Sequence, residues 1–186
     1  MEISEVSPNN PPTGDGGYSS AIGGITIRDA TIDDAPELLT IYNDIILNTT
    51  AVWHEEPHTI AMRQKWLADK ATDGFPVFVA EEDNKIIGFS TIGAFRPWFG
   101  YRFTVENSVY VASASRGKGV AKLLLPPLID ASKKLGLHAI VAGIEASNEA
   151  SIALHQKFGF VEVAHFKQVG FKFGRWLDLN FLELIV

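Results

Sequence analysis

The sequence predicts an α/β or α+β domain built on one mixed sheet flanked by helices. Three observations carry this. Strand-type alternation and helix-type periodicity interleave across residues 25–186, antiparallel hairpin pairs come first, and later strands alternate with helical stretches as βαβ units do. A length of 186 residues suits one domain with one sizeable core. Hydrophobic residues at 46% and charged ones at 20% are the mixture of an ordinary globular protein, so composition alone names no function.

Residues 1–24 are rich in Pro, Gly, Ser and Asn and lack apolar periodicity. They cannot bury enough surface to offset their ordering entropy and are expected to form a flexible tail, with an arm that docks on a partner subunit as the alternative. From Ile25 the pattern changes, and Ile25 and Ile27 alternate with Thr26 and Arg28 as in a strand. Asp33 or Asp34 then caps a helix with Pro36 in its first turn and Leu38, Leu39, Tyr42, Ile45 and Ile46 on one face. A second helix starts at Thr59, carries Met62, Trp66 and Leu67, and ends near Asp73 and Gly74.

Strands are expected over 75–81 and 85–95, joined by a turn at Glu82, Asp83 and Asn84. A loop at 96–100 and an alternating strand over 101–111 follow. A glycine-bearing loop at 116–119 opens a helix whose face is Val120, Leu123, Leu124, Leu128 and Leu135, stopped at Gly136 and kinked by Pro126 and Pro127. A buried strand over 138–145, a short helix over 148–158 ended by Gly159, and two strands complete the order β-α-α-β-β-β-α-β-α-β-β.

Several function classes are disfavoured. The formal net charge of −6 leaves no basic stripe to neutralise a nucleic-acid backbone. The chain has no cysteine, which removes disulfides, thiolate metal sites and a cysteine nucleophile and fits a reducing cytoplasm. No stretch approaches the roughly 18 apolar residues of a membrane span, and the start lacks the basic and apolar regions of a signal peptide. His54-Glu55-Glu56-Pro57-His58 matches the H-E-x-x-H zinc pattern, but Pro57 disfavours the helix that would put both histidines on one face. The segment reads as a loop, and no metal is expected. There is no G-x-S-x-G elbow for serine hydrolysis.

The strongest chemical signal is a strand ending Ser108-Val109-Tyr110-Val111, followed after four residues by Arg116-Gly117-Lys118-Gly119-Val120-Ala121 at a helix start. Glycines let the backbone approach a ligand, and the first unpaired N–H groups of a helix favour an anion, so the loop fits a pyrophosphate cradle with Arg116 or Lys118 adding charge. By itself it fits equally well a strand-to-helix turn that binds nothing. It is a poor P-loop, since Gly119 follows Lys118, and a poor dinucleotide fingerprint, since Lys122 stands where a third glycine belongs.

Arg116-x-x-Gly119-x-Ala121 resembles the R/Q-x-x-G-x-G/A loop of the GNAT acetyltransferases, and Asn148-x-x-Ser151 with Leu154-His155-Gln156-Lys157-Phe158-Gly159-Phe160 resembles that superfamily's last helix. Further blocks resemble its phosphinothricin and methionine sulfoximine acetyltransferases: Ile41-Tyr42-Asn43, Asn48-Thr49-Thr50-Ala51-Val52-Trp53, Arg96-Pro97-Trp98, Thr104-Val105-Glu106-Asn107-Ser108-Val109-Tyr110-Val111, and Gln168-Val169-Gly170-Phe171-Lys172-Phe173-Gly174-Arg175-Trp176-Leu177-Asp178.

The resemblance implies a mostly antiparallel GNAT-type sheet, acetyl-CoA as co-substrate, a small amino-acid-like acceptor and a homodimer. It implies that Arg96, Pro97, Trp98, Glu106, Asn107 and Ser108 line the acceptor site. It also implies that Val109, Tyr110, Val111, Arg116, Gly117, Lys118, Gly119, Val120, Ala121, Lys122, Asn148, Ser151 and His155 contact the coenzyme.

The chemistry of these residue types agrees. An ammonium must lose a proton before its nitrogen attacks a thioester, and Glu106 is the candidate base. Backbone N–H groups near Val109 to Val111 suit the oxyanion, and Arg96 suits a substrate carboxylate. His155 stands where many relatives carry a tyrosine, and either packs or donates a proton to the leaving thiolate. Asn107 stands where close relatives often carry a histidine. Trp53 and Trp98 are candidates for an aromatic acceptor wall, and Trp66 for the core. Alternatives are acetylation of another amine, such as a polyamine, an antibiotic or a protein N-terminus, and a non-catalytic acyl-CoA-binding module.

Overall fold

A computed structural model describes residues 19–186. The chain runs Ser19–Ile22 (β1), Ile25–Asp29 (β2), Ala35–Asn48 (α1), Ile60–Thr72 (α2), Val77–Glu82 (β3), Lys85–Ala94 (β4), Thr104–Val111 (β5), Val120–Lys134 (α3), Ala139–Glu145 (β6), Glu149–Lys157 (α4), Val161–Lys172 (β7) and Arg175–Ile185 (β8). The eight strands form one sheet in the order β1-β2-β3-β4-β5-β6-β8-β7. Every neighbouring pair is antiparallel except β5 with β6. A parallel pair needs a long crossover, and α3 supplies it.

Helices cover both faces of the sheet, which explains why β3 reads as an unbroken apolar run. Its Val77 and Val79 pack with Leu38, Ile41 and Ile45 of α1, while Phe78 and Ala80 pack with Val120, Leu124 and Leu128 of α3. Arg28 fixes the first helix to the sheet. It bonds Asp34 at 2.8 and 2.9 Å and Glu81 at 2.7 and 2.9 Å, while Asp34 also accepts from the Thr31 N–H at 2.7 Å. Burial favours the neutral form of the Asp34 carboxyl, but the Arg28 bonds, the Thr31 N–H and the Arg28 charge outweigh it and hold the group below its ordinary range.

The order matches the expected one with one addition. Ser19–Ile22, placed by the sequence within the 1–24 tail, pairs along β2 from Ser19↔Arg28 to Ile22↔Ile25. Its side chains are mostly exposed and carry no apolar alternation, so the legible signal was the turn. Gly23 and Gly24 take φ of 60° and 84°, the left-handed values that a tight hairpin requires. The rest of the expected tail, residues 1–18, lies outside the described residues. Helix α3 runs through Pro126 and Pro127 as one segment, so the Lys122 and Leu123 carbonyls have no i+4 N–H to receive.

Candidate active site

Strands β5 and β6 pair only over residues 104–106 and 139–141, and beyond that they part. The split is the foundation of the site. Ala112 N–H donates to Ile87 O of β4 at 2.9 Å, so by strand alternation the Val111 and Val109 N–H groups face the opposite way, into the opening. Two cavities meet along this slot. The larger has a volume of about 760 Å³ and the smaller about 350 Å³. Ala51, Val109, Tyr110, Glu145, Asn148 and Ser151 line both.

The larger cavity collects most of the predicted coenzyme residues. Val109, Tyr110 and Val111 form its strand side, and Arg116, Gly117, Gly119, Val120, Ala121 and Lys122 its loop and helix side. Gly117 and Gly119 take φ of 77° and 85°, which lets the loop turn sharply into α3. The first N–H groups of α3 have no partner within the helix and are suited to a diphosphate. Arg116 is held by Asp44 at 3.5 Å and by Val111 O at 3.2 Å. Lys118 is exposed and outside the cavity lining. Asn148 accepts from the Ser151 N–H at 3.2 Å, capping α4, which leaves its NH₂ group to a ligand. The donor set and the glycine-lined turn therefore fit the pyrophosphate of a coenzyme.

The smaller cavity holds Glu106, Asn107, Ser108 and His155. The Glu106 carboxylate lies over Gly143, where an added Cβ would stand 2.8 Å from Oε1, so the missing side chain makes room for it. Burial pushes the Glu106 pKa up, and the Arg96 charge opposes the rise. A second carboxylate behaves oppositely. Glu145 accepts from Ser147 Oγ at 2.5 Å, Ser147 N at 3.1 Å and Thr50 Oγ1 at 2.9 Å. Burial would raise its pKa, but these bonds and the Arg175 charge hold it low. Environments that push two carboxyls apart separate their roles, leaving Glu106 as the better proton acceptor of the two.

His155 is buried, and its hydrogen bonds fix its tautomer. Nδ1 lies 2.8 Å from Ser151 O, which can only accept, so Nδ1 carries the proton. Nε2 then accepts from Asn107 Nδ2 at 2.9 Å. Burial lowers the ring's pKa against the Ser151 bond, and the proton this tautomer carries is engaged with Ser151 O. His155 belongs to the smaller cavity and positions Asn107. Arg96, Pro97 and Trp98 are exposed on the loop after β4 and line neither cavity, although the Arg96 charge acts on Glu106. His54 and His58 lie in the irregular segment between α1 and α2, so the zinc-type pattern has no helix to stand on.

Sequence reasoning gave no role to the residues that hold the acceptor wall. Thr50, Ala51, Val52 and Trp53 lie between α1 and α2. The buried Lys172 ammonium of β7 donates to Ile46 O at 2.6 Å, Thr49 O at 2.9 Å and Val52 O at 2.5 Å. This closes the end of α1, whose last carbonyls have no helical partner. Trp53 Nε1 donates to Thr50 O at 3.0 Å, and the ring lies on Gly170. Glu145 and Gly143 sit in a strand where the only sequence signal was a charged or missing side chain among apolar neighbours, and Lys172 lies in a block that matched the family without pointing to its partners.

The description "Acetyltransferase (GNAT) domain" matches residues 27–181. The chain belongs to the GNAT acetyltransferase family. It is 48% identical over 160 residues to the L-methionine sulfoximine/L-methionine sulfone acetyltransferase of Pseudomonas aeruginosa, covering 86% of this chain and 93% of that protein. It is 36% identical over 182 residues to the phosphinothricin N-acetyltransferase of Alcaligenes faecalis, covering 95% and 92%. An acetyltransferase from Salmonella typhimurium, solved with its cofactor acetyl-CoA, superposes with a TM-score of 0.86 at 43% identity over 88% of this chain and 94% of that one. The fold and the enzyme class expected from the sequence, an N-acetyltransferase, are thereby established.

Proposed function

We propose that the protein moves an acetyl group from acetyl-CoA to the α-amine of a small amino-acid analogue of the methionine sulfoximine, methionine sulfone or phosphinothricin type. The observation that carries the reading is Glu106. A carboxylate with a burial-raised pKa stands in the smaller cavity, which adjoins the cradle-lined one. Acetyl-CoA supplies an activated thioester. Arg116, Gly117, Gly119 and Lys122 hold its diphosphate, and the slot between β5 and β6 takes the arm that bears the acetyl group. Glu106 takes a proton from the acceptor ammonium, directly or through water, and frees the nitrogen lone pair. The Val109 and Val111 N–H groups receive the carbonyl oxygen as negative charge grows on it. The new C–N bond forms as the C–S bond breaks, giving the N-acetyl product and the free coenzyme thiol.

Relatives named for methionine sulfoximine, methionine sulfone and phosphinothricin support this acceptor class. Arg96, at the rim and felt by Glu106, steers a carboxylate-bearing acceptor inward. The reading includes a homodimer formed through β7. This edge strand exposes Val163, Phe166, Val169 and Phe171, an apolar row that a second copy would cover. It also places the enzyme in a reducing, cytoplasmic setting, in keeping with a chain that has no cysteine.

The deciding experiment is a steady-state screen of coenzyme thiol release from acetyl-CoA with sulfoximine, sulfone and phosphinic amino acids, set beside polyamines and peptide N-termini. Saturable release with the amino-acid analogues is expected. Release only with the other amines would reject the acceptor class, and release with none would reject the reaction.

A further inference from the structure

Behind the acceptor cavity lies a charge that the reaction above does not use. Arg63 of α2 is 2% exposed, and among the described residues it makes no ion pair. Its Nε and Nη2 have no hydrogen-bond partner. Three rings surround it instead, with the guanidinium carbon 4.1 Å from the centroid of Tyr42, 4.7 Å from Trp66 and 5.9 Å from Phe89. Cation–π attraction offsets part of its desolvation, but a guanidinium with idle N–H groups remains costly to bury. Arginine does not escape that cost by losing its proton.

Tyr42 stands between this charge and the cavity. One face of its ring carries Arg63, and Tyr42 lines the smaller cavity. A guanidinium only donates, so Arg63 cannot take the phenol proton, which is left to be given elsewhere. No anion stands among Tyr42's ring neighbours. Tyr110 meets it edge-on at 5.4 Å with its own pKa pushed up to about 12, and His58 lies at 4.9 Å, its pKa lowered by burial and by the Arg63 and His54 charges. The two carboxylates of the cavity are already engaged, Glu145 by Ser147 and Thr50, and Glu106 by the proton of the acceptor amine. One wall of the cavity therefore carries uncompensated positive charge behind a free donor, and another carries a base.

We propose that Tyr42, backed by Arg63, donates the hydrogen bond that seats a negatively polarised oxygen of the acceptor while the acceptor's nitrogen sits at Glu106. Tyr42 is then a binding residue for specificity, and Arg63, acting through it, is a positioning residue. The oxygen is a carboxylate oxygen or a sulfonyl or phosphinyl oxygen, which share this chemistry. The inference rests on the acceptor class proposed above.

The test compares the full-length protein with Tyr42→Phe, Arg63→Met and the double variant. The acceptors are methionine sulfone, its carboxamide, and norleucine, which lacks the sulfonyl oxygens. Tyr42→Phe is expected to raise the KM for methionine sulfone by about 10- to 100-fold, the range of a hydrogen bond to a charged group, with kcat and the KM for acetyl-CoA within about twofold. Arg63→Met shifts the same KM in the same direction, and the double variant exceeds Tyr42→Phe by less than about twofold, because one residue works through the other. A carboxylate partner makes the carboxamide insensitive to Tyr42→Phe, whereas a sulfonyl partner makes norleucine insensitive. An acceptor KM within about twofold of wild type in Tyr42→Phe overturns the proposal. If Arg63→Met fails to fold, Tyr42→Phe decides alone. Calorimetric binding of methionine sulfone to the coenzyme-loaded protein gives a readout independent of turnover. Wild-type binding that Tyr42→Phe weakens, without turnover, sinks the proposed reaction and leaves this inference standing, whereas no wild-type binding sinks both.

Discussion

Replacing Gly170 with alanine tests whether the β7–β8 hairpin sets the acceptor wall. A Cβ at this position would lie 2.3, 2.4 and 2.7 Å from Cζ3, Cε3 and Cη2 of Trp53, against an ordinary contact of 3.4 Å or more. The ring must retreat by about 1.1 Å. It has little freedom to do so, because Nε1 is bonded to Thr50 O and the neighbouring Val52 carbonyl is bonded to Lys172. Overpacking of this kind costs about 1–3 kcal/mol, and loss of the indole bond about 1 kcal/mol more. For a chain of this size that corresponds to a fall in Tm of roughly 5–15 °C. Because Trp53 lines only the smaller cavity, the KM for the acceptor should rise at least about tenfold while the KM for acetyl-CoA stays within about twofold. Adding Trp53→Leu removes the clash and should restore the Tm but not the acceptor KM. A Gly170→Ala protein with wild-type melting and wild-type acceptor kinetics would refute the reasoning.

Three further perturbations probe separate parts of the structure. Glu106→Gln should lower kcat/KM by about 10²–10⁴, and the wild-type profile should lose activity as pH falls through a pKa above the ordinary glutamate value. Arg96→Ala removes the charge that opposes this rise, so the acidic limb should move to higher pH, read from kcat/KM against pH. Lys172→Met strands the carbonyls of Ile46, Thr49 and Val52, and denaturant titration should show a loss of about 3–5 kcal/mol. Asp34→Asn breaks the part-exposed pair with Arg28 and should cost about 1–3 kcal/mol at neutral pH. The folded-state pKa of Asp34 is depressed, so its stabilisation is present above the unfolded value of about 3.9 and disappears as pH falls further. The stability gap between wild type and variant should therefore close in acid.

The legible parts of this protein are those in which local sequence and local structure coincide. The helix faces of α1 and α3, the Glu82-Asp83-Asn84 turn and the glycine loop into α3 each declare themselves within a few residues, because their periodicity and φ requirements are local. Glu106 was legible through the motif around it. What raises its pKa was not, since that depends on burial at a site where Gly143 of β6 makes room and on the opposing charge of a loop arginine. The same holds for Lys172, whose three partners lie 120 to 126 residues away and are main-chain oxygens with no residue-type signature. His155 shows the gap most clearly. The residue was visible, but its tautomer depends on one carbonyl and one amide that meet only after folding. Arg96 to Trp98 matched by sequence, yet they lie on an exposed loop outside the cavities, and Arg63, the buried charge behind Tyr42, resembled any other helix cation.

The Lys172 anchor also bears on the order in which the working enzyme comes into being. The glycine cradle, β5 and the start of α3 are all synthesised before the residue that fastens the wall opposite them. A nascent chain that has reached the end of α4 already contains every cradle residue of the larger cavity and the Glu145 partner of Thr50, yet the loop carrying Thr50 and Trp53 still lacks its Lys172 anchor. The main-chain anchor of the loop that carries Trp53 is thus the last part of the smaller cavity's wall to be made.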